Sequence, residues 1–345
     1  MNMKKWFADV MNSSVKKPFP ILSFPCVSLL NVNVKQLTSS AELMSAGMKA
    51  ICDKCDTLAS VSMMDLSVEA EAFGANVNFS ENEVPTVVGA IANTFEKVDS
   101  LQIPPVNAKR CGIYVEAVKQ AKQLITDRPV FAGGIGPFSL AGRLMDVSEI
   151  MINCYEDPDM VHALLEKVTE FLINYFNEYK KVGANGILMA EPLAGMLSPS
   201  LVQEFSSDYV KKIVDAVQTD EFAVIYHNCG DNVYLMTKSI LSTGAMAYHF
   251  GNSVSMSKML DLMPNDVAVM GNVDPAGQIK KGSVESVKQE TLRILGECNS
   301  HSNFIISSGC DIPHDSSWQN VLAFFNAVSE FYGEKIEFLI STKCC

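Results

Sequence analysis

Eight short runs of almost uninterrupted apolar residues, spread along the whole chain, restrict what this sequence can fold into. They are Ile21–Cys26, Thr57–Met63, Pro129–Gly136, Gly186–Pro192, Phe222–Cys229, Ala245–Phe250, Val267–Val273 and Phe304–Cys310. A strand that is apolar at every position, rather than at alternate ones, is buried on both faces, as in a parallel sheet covered by helices. The intervening stretches supply the helices. In Asp159–Val182, residues Val161, Leu164, Leu165, Val168, Phe171, Leu172 and Tyr175 follow the i, i+3, i+4, i+7 spacing of an amphipathic helix. Pro199–Val217 and the shorter Ser255–Met263 are further helix candidates. Strands alternating with helices pair in parallel through right-handed crossovers. Eight such units predict an α/β (β/α)8 TIM barrel, with a doubly wound open sheet as the alternative.

The region Glu71–Gln123 is long for one strand-to-helix connection. It predicts an insertion over the barrel mouth, turning near Ile103-Pro104-Pro105. With no low-complexity segment, internal repeat or linker, residues 1–345 are expected to form a single domain. No stretch reaches the roughly 18 consecutive apolar residues of a membrane-spanning helix. Residues Met1–Val10 have no apolar core after Lys4 and Lys5, so no signal peptide is expected and the protein is placed in the cytoplasm. With 27 Lys and Arg against 39 Asp and Glu, the net charge is −12. That is a poor match for nucleic acid or an anionic membrane.

Ten cysteines in a chain without a secretion signal are expected to be reduced thiols, some of them metal ligands. The informative segment is Ala223-Val-Ile-Tyr-His227-Asn-Cys229-Gly230, an apolar strand ending in His-x-Cys. On a strand, i and i+2 point to the same side, so imidazole and thiolate meet at its C-terminal end. In a barrel that end carries the active site. A second strand ends in Gly309-Cys310. Together His227, Cys229 and Cys310 make an NS2 donor set suited to Zn²⁺, with one coordination position open. The alternative is a hydrogen-bonded strand-end histidine and two core cysteines. Cys52-x-x-Cys55 reads as two helix-packed thiols, and Cys344 and Cys345 as exposed tail thiols. A thiol entering the open zinc position would lose its proton and become a nucleophile. Two thiolate ligands weaken the ion toward water, so alkyl transfer to sulfur fits better than hydrolysis.

Three segments, His227-Asn-Cys229-Gly230, Gly271-Asn272-Val273-Asp274-Pro275 and Gly309-Cys310-Asp311-Ile312-Pro313, resemble the uroporphyrinogen decarboxylase superfamily. Within it they are similar to the methylcobamide:coenzyme M methyltransferase branch. The resemblance extends to Met64-Asp65-Leu66-Ser67-Val68-Glu69-Ala70-Glu71-Ala72-Phe73-Gly74 and Glu191-Pro192-Leu193-Ala194-Gly195, and runs from about Pro20 to Tyr332. It implies a (β/α)8 barrel and zinc held by His227, Cys229 and Cys310. It also implies a thiol acceptor such as coenzyme M, and a methylated corrinoid donor carried on a separate small protein.

Two departures stand out. Decarboxylases of the superfamily carry an N-terminal arginine-rich motif, whereas Pro25-Cys-Val-Ser-Leu-Leu-Asn-Val-Asn has no arginine. A carboxylate found in related zinc methyltransferases at the next strand end is replaced by Ala247-Tyr248-His249-Phe250-Gly251. His249 is therefore a fourth ligand, a residue behind the ligands, or an ordinary strand-end histidine. Glu191, at a strand end, is a candidate to orient a zinc ligand or hold the metal until thiol arrives. Asp65 is the best mouth candidate among Asp65, Glu69 and Glu71, whose other reading is a solvated loop or helix start. Asp311 and His314 follow the last ligand and are candidates to support it. Gly133-Gly134-Ile135-Gly136 is read as a tight turn. The expected function is zinc-dependent methyl transfer between a methylated corrinoid and a thiol. The alternatives are tetrapyrrole decarboxylation without metal, or non-catalytic corrinoid or thiol binding.

Overall fold

In the computed structural model, the backbone is described for residues 1–342 and side chains for residues 1–333. Cys344 and Cys345 lie outside the described residues. Among these residues the strands are β1 (Ser60–Val61), β2 (Asn76–Asn78), β3 (Thr86–Val88), β4 (Val130–Ile135), β5 (Gly186–Ala190), β6 (Ala223–Asn228), β7 (Ala247–Phe250), β8 (Ala268–Val273) and β9 (Phe304–Ser308). Seven of them form one parallel sheet in the order β1-β4-β5-β6-β7-β8-β9. Every residue of β4 through β9 is buried. The sheet curls and helices cover its outer face, giving the α/β, TIM-barrel-like fold that the apolar runs predict.

The run Ile21–Cys26 corrects the expected strand count, because it forms no strand. Pro18, Pro20 and Pro25 have no N–H to give a ladder. The segment still runs between the two ends of the sheet. Leu58 N–H donates to Pro18 O (2.8 Å), Phe19 N–H to Ile306 O (3.0 Å) and Ile21 N–H to Ser308 Oγ (3.0 Å). Cys26 then begins a helix, Cys26–Leu30.

One apolar cluster fills the curled sheet: Phe131, Leu188, Ala190, Ala223, Ile225, Ala247, Ala268, Met270 and Ile305. The helix Met3–Asn12 adds Met3, Phe7 and Val10 to it from below, the Asn2 side chain capping its start. Met3 N–H donates to Asp220 O just before β6, so this helix closes the N-terminal end of the sheet. The other strand faces pack on helices. Pro158–Lys181, capped by Asp157, buries Val161, Leu164, Leu165, Val168, Phe171, Leu172 and Tyr175 against them, the stripe its spacing predicts.

Between residues 71 and 123 lie the antiparallel pair β2 and β3, the helix Phe95–Ser100 and most of the helix Cys111–Leu124. Ile91 and Ala92 both donate to Leu144 O (2.9 Å), which fastens this excursion to the helix Pro137–Met145 after β4. Gly133 and Gly134 are residues of β4 rather than a turn, and Gly136 caps the following helix. A Cβ on Gly133 would stand 2.5 Å from Met64 Sδ, which explains the glycine there.

Candidate metal centre

Side-chain alternation along β6 turns Ile225 into the interior cluster, and His227 and Cys229 follow it on the same side. On β7, Ala247 is likewise interior, and His249 stands opposite His227 in the strand register. Cys310 follows β9 by two residues. Because all seven strands are parallel, these positions gather at one end of the sheet. The ligand atoms of His227, Cys229 and Cys310 lie within 4.8 Å of one another. Among the described residues they form the one group of three or more His, Cys, Asp or Glu side chains able to share a metal ion.

The loops leave little room around this group. A Cβ on Gly251 would come within 2.7 Å of Cys229 Cα and Cβ, so the chain after β7 passes the ligand loop only as glycine. Asn272 at the end of β8 holds that chain in place, its amide donating to Gly251 O (2.9 Å) and Val254 O (2.8 Å).

The two sulfurs lie within 4.8 Å of each other and of a His227 ring nitrogen. The neighbouring Cys310 and then His227 pull the half-buried Cys229 thiol down. The neighbouring Cys229, and then desolvation, push the half-buried Cys310 thiol up. The two sulfurs thus titrate as a coupled pair.

His227 Nε2 faces Cys310 Sγ at 3.6 Å, and its Nδ1 meets His249 Nδ1 at 2.8 Å. His249 Nε2 meets Ser307 Oγ at 2.8 Å. Both ring nitrogens of His249 are therefore engaged away from the thiols. Burial, and then the neighbouring His227, push His249 well below the ordinary histidine range, so it is neutral near pH 7. The two imidazoles and Ser307 thus form one hydrogen-bonded chain behind the thiols.

The carboxylates are placed elsewhere. Glu191 is fully buried and points out of the sheet, onto the start of the helix Pro137–Met145. Its Oε1 accepts from Phe138 N–H (2.9 Å) and its Oε2 from Ser139 Oγ (3.2 Å). A Cβ on Gly136 would sit 2.1 Å from Oε1, so glycine makes the space for this carboxyl. Burial pushes Glu191 up to about 8 even against these donors.

Asp65 is buried beside the end of β1 and is bound to Arg110. Its Oδ1 accepts from Ser67 Oγ (2.6 Å), and its Oδ2 also accepts from Tyr114 OH (2.9 Å). Arg110 Nε reaches Glu71 at 2.6 Å. Glu69 is buried too, accepting from Ile135 N–H (3.2 Å), and burial raises it to about 7. Asp311 accepts from Ser23 Oγ (3.3 Å), and burial drives its carboxyl well up. Cys52 and Cys55 are buried thiols raised by desolvation, as helix-packed cysteines should be.

Sequence reasoning missed Arg110 and Ser307. The first lies far along the chain from Asp65 and carries no local signal. Ser307 stands on β9 just before Cys310, where a polar residue in an apolar strand was the available clue.

The family model for uroporphyrinogen decarboxylase (URO-D) matches residues 27–331. A methylcobamide:CoM methyltransferase, MtbA of Methanosarcina acetivorans, is 26% identical over 255 residues, covering 72% of each chain. A uroporphyrinogen decarboxylase of Pseudomonas syringae is 26% identical over 283 residues, covering 79% of this chain and 78% of its own. Among solved structures, a methyltransferase from Methanosarcina mazei superposes with a TM-score of 0.85 at 23% identity, over 96% of this chain and 98% of that one. A B12-independent methionine synthase from Shewanella shares the fold more distantly, at TM-score 0.60 and 14% identity over 95% of this chain and 99% of that one. The chain belongs to the uroporphyrinogen decarboxylase (URO-D) family.

Proposed function

We propose that this protein is a zinc-dependent methyltransferase that moves a methyl group between a methylated corrinoid and a thiol such as coenzyme M. The observation that carries this reading is the convergence of one imidazole nitrogen and two thiol sulfurs within 4.8 Å at the sheet's C-terminal end. The donor set fits zinc: one imidazole nitrogen and two thiol sulfurs, close enough together to share one ion. Zinc bound there by three protein ligands supplies an open position in which a substrate thiol is held as thiolate. His249 positions the His227 ring through Nδ1 and is itself held by Ser307. Glu191 and Asp65, engaged by a helix start and by Arg110, support the mouth from behind. The corrinoid arrives on a separate protein, and we place the reaction in the cytoplasm, with 1–345 acting as one domain. No helix among the described residues is long and apolar enough to cross a membrane.

The relatives named as decarboxylases are as similar overall, which keeps porphyrinogen decarboxylation as the rival reading. Its acidic substrate needs cations, and the segment 25–33 offers no arginine. Arg110, near the mouth, is already taken by Asp65 and Glu71.

Metal analysis and calorimetry separate the two. Protein purified without added metal should carry about one zinc per chain, and thiol binding should release about one proton per site near neutral pH. Methylcobalamin or a methylated corrinoid protein should be demethylated by a thiol. A metal-free protein that decarboxylates a porphyrinogen would overturn the proposal.

A further inference from the structure

Cys229 stands one residue past β6, where the sheet ladder ends, and the residue before it fixes its direction. Asn228 closes β6 and is fully buried. Val224 and Tyr226 belong to the core on the helix side of the sheet, and the same alternation puts Asn228 on that side. It therefore faces away from the metal ligands and is not one of them. A buried amide must satisfy both its oxygen and its nitrogen. Gly230 N–H can only donate, so Asn228 Oδ1 accepts from it (2.9 Å), and Nδ2 is left to donate to Tyr226 OH (3.1 Å). The first of these bonds reaches from residue 228 to residue 230 over Cys229, an Asx turn. The other polar groups of the turn are engaged as well. Asn228 O accepts from Gly251 N–H (3.2 Å), and Ser253 Oγ lies 3.0 Å from Cys229 O and 3.1 Å from Gly230 O. From the loop after β5, Gly195 closes the remaining space. A Cβ on it would stand 2.6 Å from both Asn228 Oδ1 and Gly230 Cα.

We propose that Asn228 is a positioning residue for the Cys229 sulfur: its Oδ1, through Gly230 N–H, holds the turn that aims this thiolate at the metal. The inference rests on the reading of His227, Cys229 and Cys310 as zinc ligands. His227 is held by its strand and by His249, and Cys310 follows a different strand, so the Asn228 bond acts on one ligand of the three. A turn shaped by its own side chain is formed before the ion arrives, and less ordering then opposes metal binding.

The test uses full-length protein, with zinc affinity measured by chelator competition and Co²⁺ as a spectroscopic stand-in for zinc. Bound cobalt reports its thiolate ligands through a near-ultraviolet charge-transfer band. Asn228→Leu keeps the branched shape of the side chain but not the acceptor. It should weaken zinc binding about 10–100-fold and bring the cobalt band down toward that of Cys229→Ala, with far-UV circular dichroism unchanged. Asn228→Asp keeps an oxygen for Gly230 N–H, with Tyr226 OH turned round as donor, and should restore most of both. If Asn228→Leu does not fold, Asn228→Ala removes the same acceptor without added bulk, and the same losses are expected of it. A folded Asn228→Leu or Asn228→Ala with wild-type zinc affinity and cobalt band would overturn the positioning role while leaving the metal reading in place. Equal losses in Asn228→Leu and Asn228→Asp would overturn it too, because the acceptor oxygen would then not matter. A wild type that binds neither zinc nor cobalt overturns the metal reading itself, and this inference with it.

Discussion

Glu191→Gln tests how the carboxyl at the end of β5 is used. The side chain is fully buried, and burial raises it from 4.5 to about 8. A folded-state value above the unfolded one means that the native protein binds the proton more tightly. The stability this contributes is complete below pH 4.5 and is lost as the pH rises through about 8. The span corresponds to about 5 kcal/mol, with a limiting slope of about 1.4 kcal/mol per pH unit. Glutamine cannot titrate, but its oxygen can still accept from Phe138 N–H. The assay is the urea stability of wild type and Glu191→Gln at each unit from pH 5 to pH 9. Glu69, which burial raises to about 7, changes both proteins alike and cancels in the difference. Relative to the variant, wild type should lose stability steadily across this window and level off beyond pH 8. Zinc content should be the same in both, because Glu191 is outside the group that shares ligand atoms. A pH-independent difference would refute the assignment of a proton-holding Glu191. Loss of zinc in the variant would refute its separation from the metal.

Three further outcomes follow from the same geometry. Cys229→Ala and Cys310→Ala should each lose tight zinc binding by metal analysis while keeping the circular dichroism of the wild type, since the sheet interior packs without either thiol. His249→Phe keeps a ring but leaves His227 Nδ1 only the backbone oxygen of residue 249, and should weaken zinc affinity about 10–100-fold in chelator competition, with Ser307→Ala acting in the same direction and more weakly. Arg110→Met leaves Asp65 buried without its cation and should cost about 3–5 kcal/mol in urea denaturation.

The sheet was legible because double-sided burial writes itself as continuous apolar runs, and seven of the eight runs contain strands of the curled sheet. The directions of side chains at strand ends were less so. At a strand end, Glu191 is a candidate to orient a zinc ligand or hold the metal; Leu188 and Ala190 face the interior, and the same alternation sends Glu191 outward to the helix layer. His249 had three readings in the sequence. What distinguishes them is its register opposite His227, a fact about which strand lies next to which. The partnership of Asp65 with Arg110 is a contact of high sequence separation between a strand end and a helix beyond the β2–β3 excursion. No local pattern encodes such a contact.

The first apolar run shows how a wrong element can still be read as a needed one. Prolines at 18, 20 and 25 forbid a ladder there, and the structure spends the remaining donors and acceptors one by one. Phe19 N–H goes to Ile306 on β9, Ile21 N–H to Ser308, and Ile21 O accepts from Ile312 N–H (3.0 Å). Ser23 then reaches Asp311. These contacts bracket Cys310 on both sides, at 308 and at 311–312. A regular eighth strand would bond the β9 backbone in even steps. The proline-broken segment instead fastens the turn that carries the third sulfur, and its own apolar side chains, Phe19 and Ile21, still fill the interior cluster. Closing the sheet and placing Cys310 are therefore done by the same few residues.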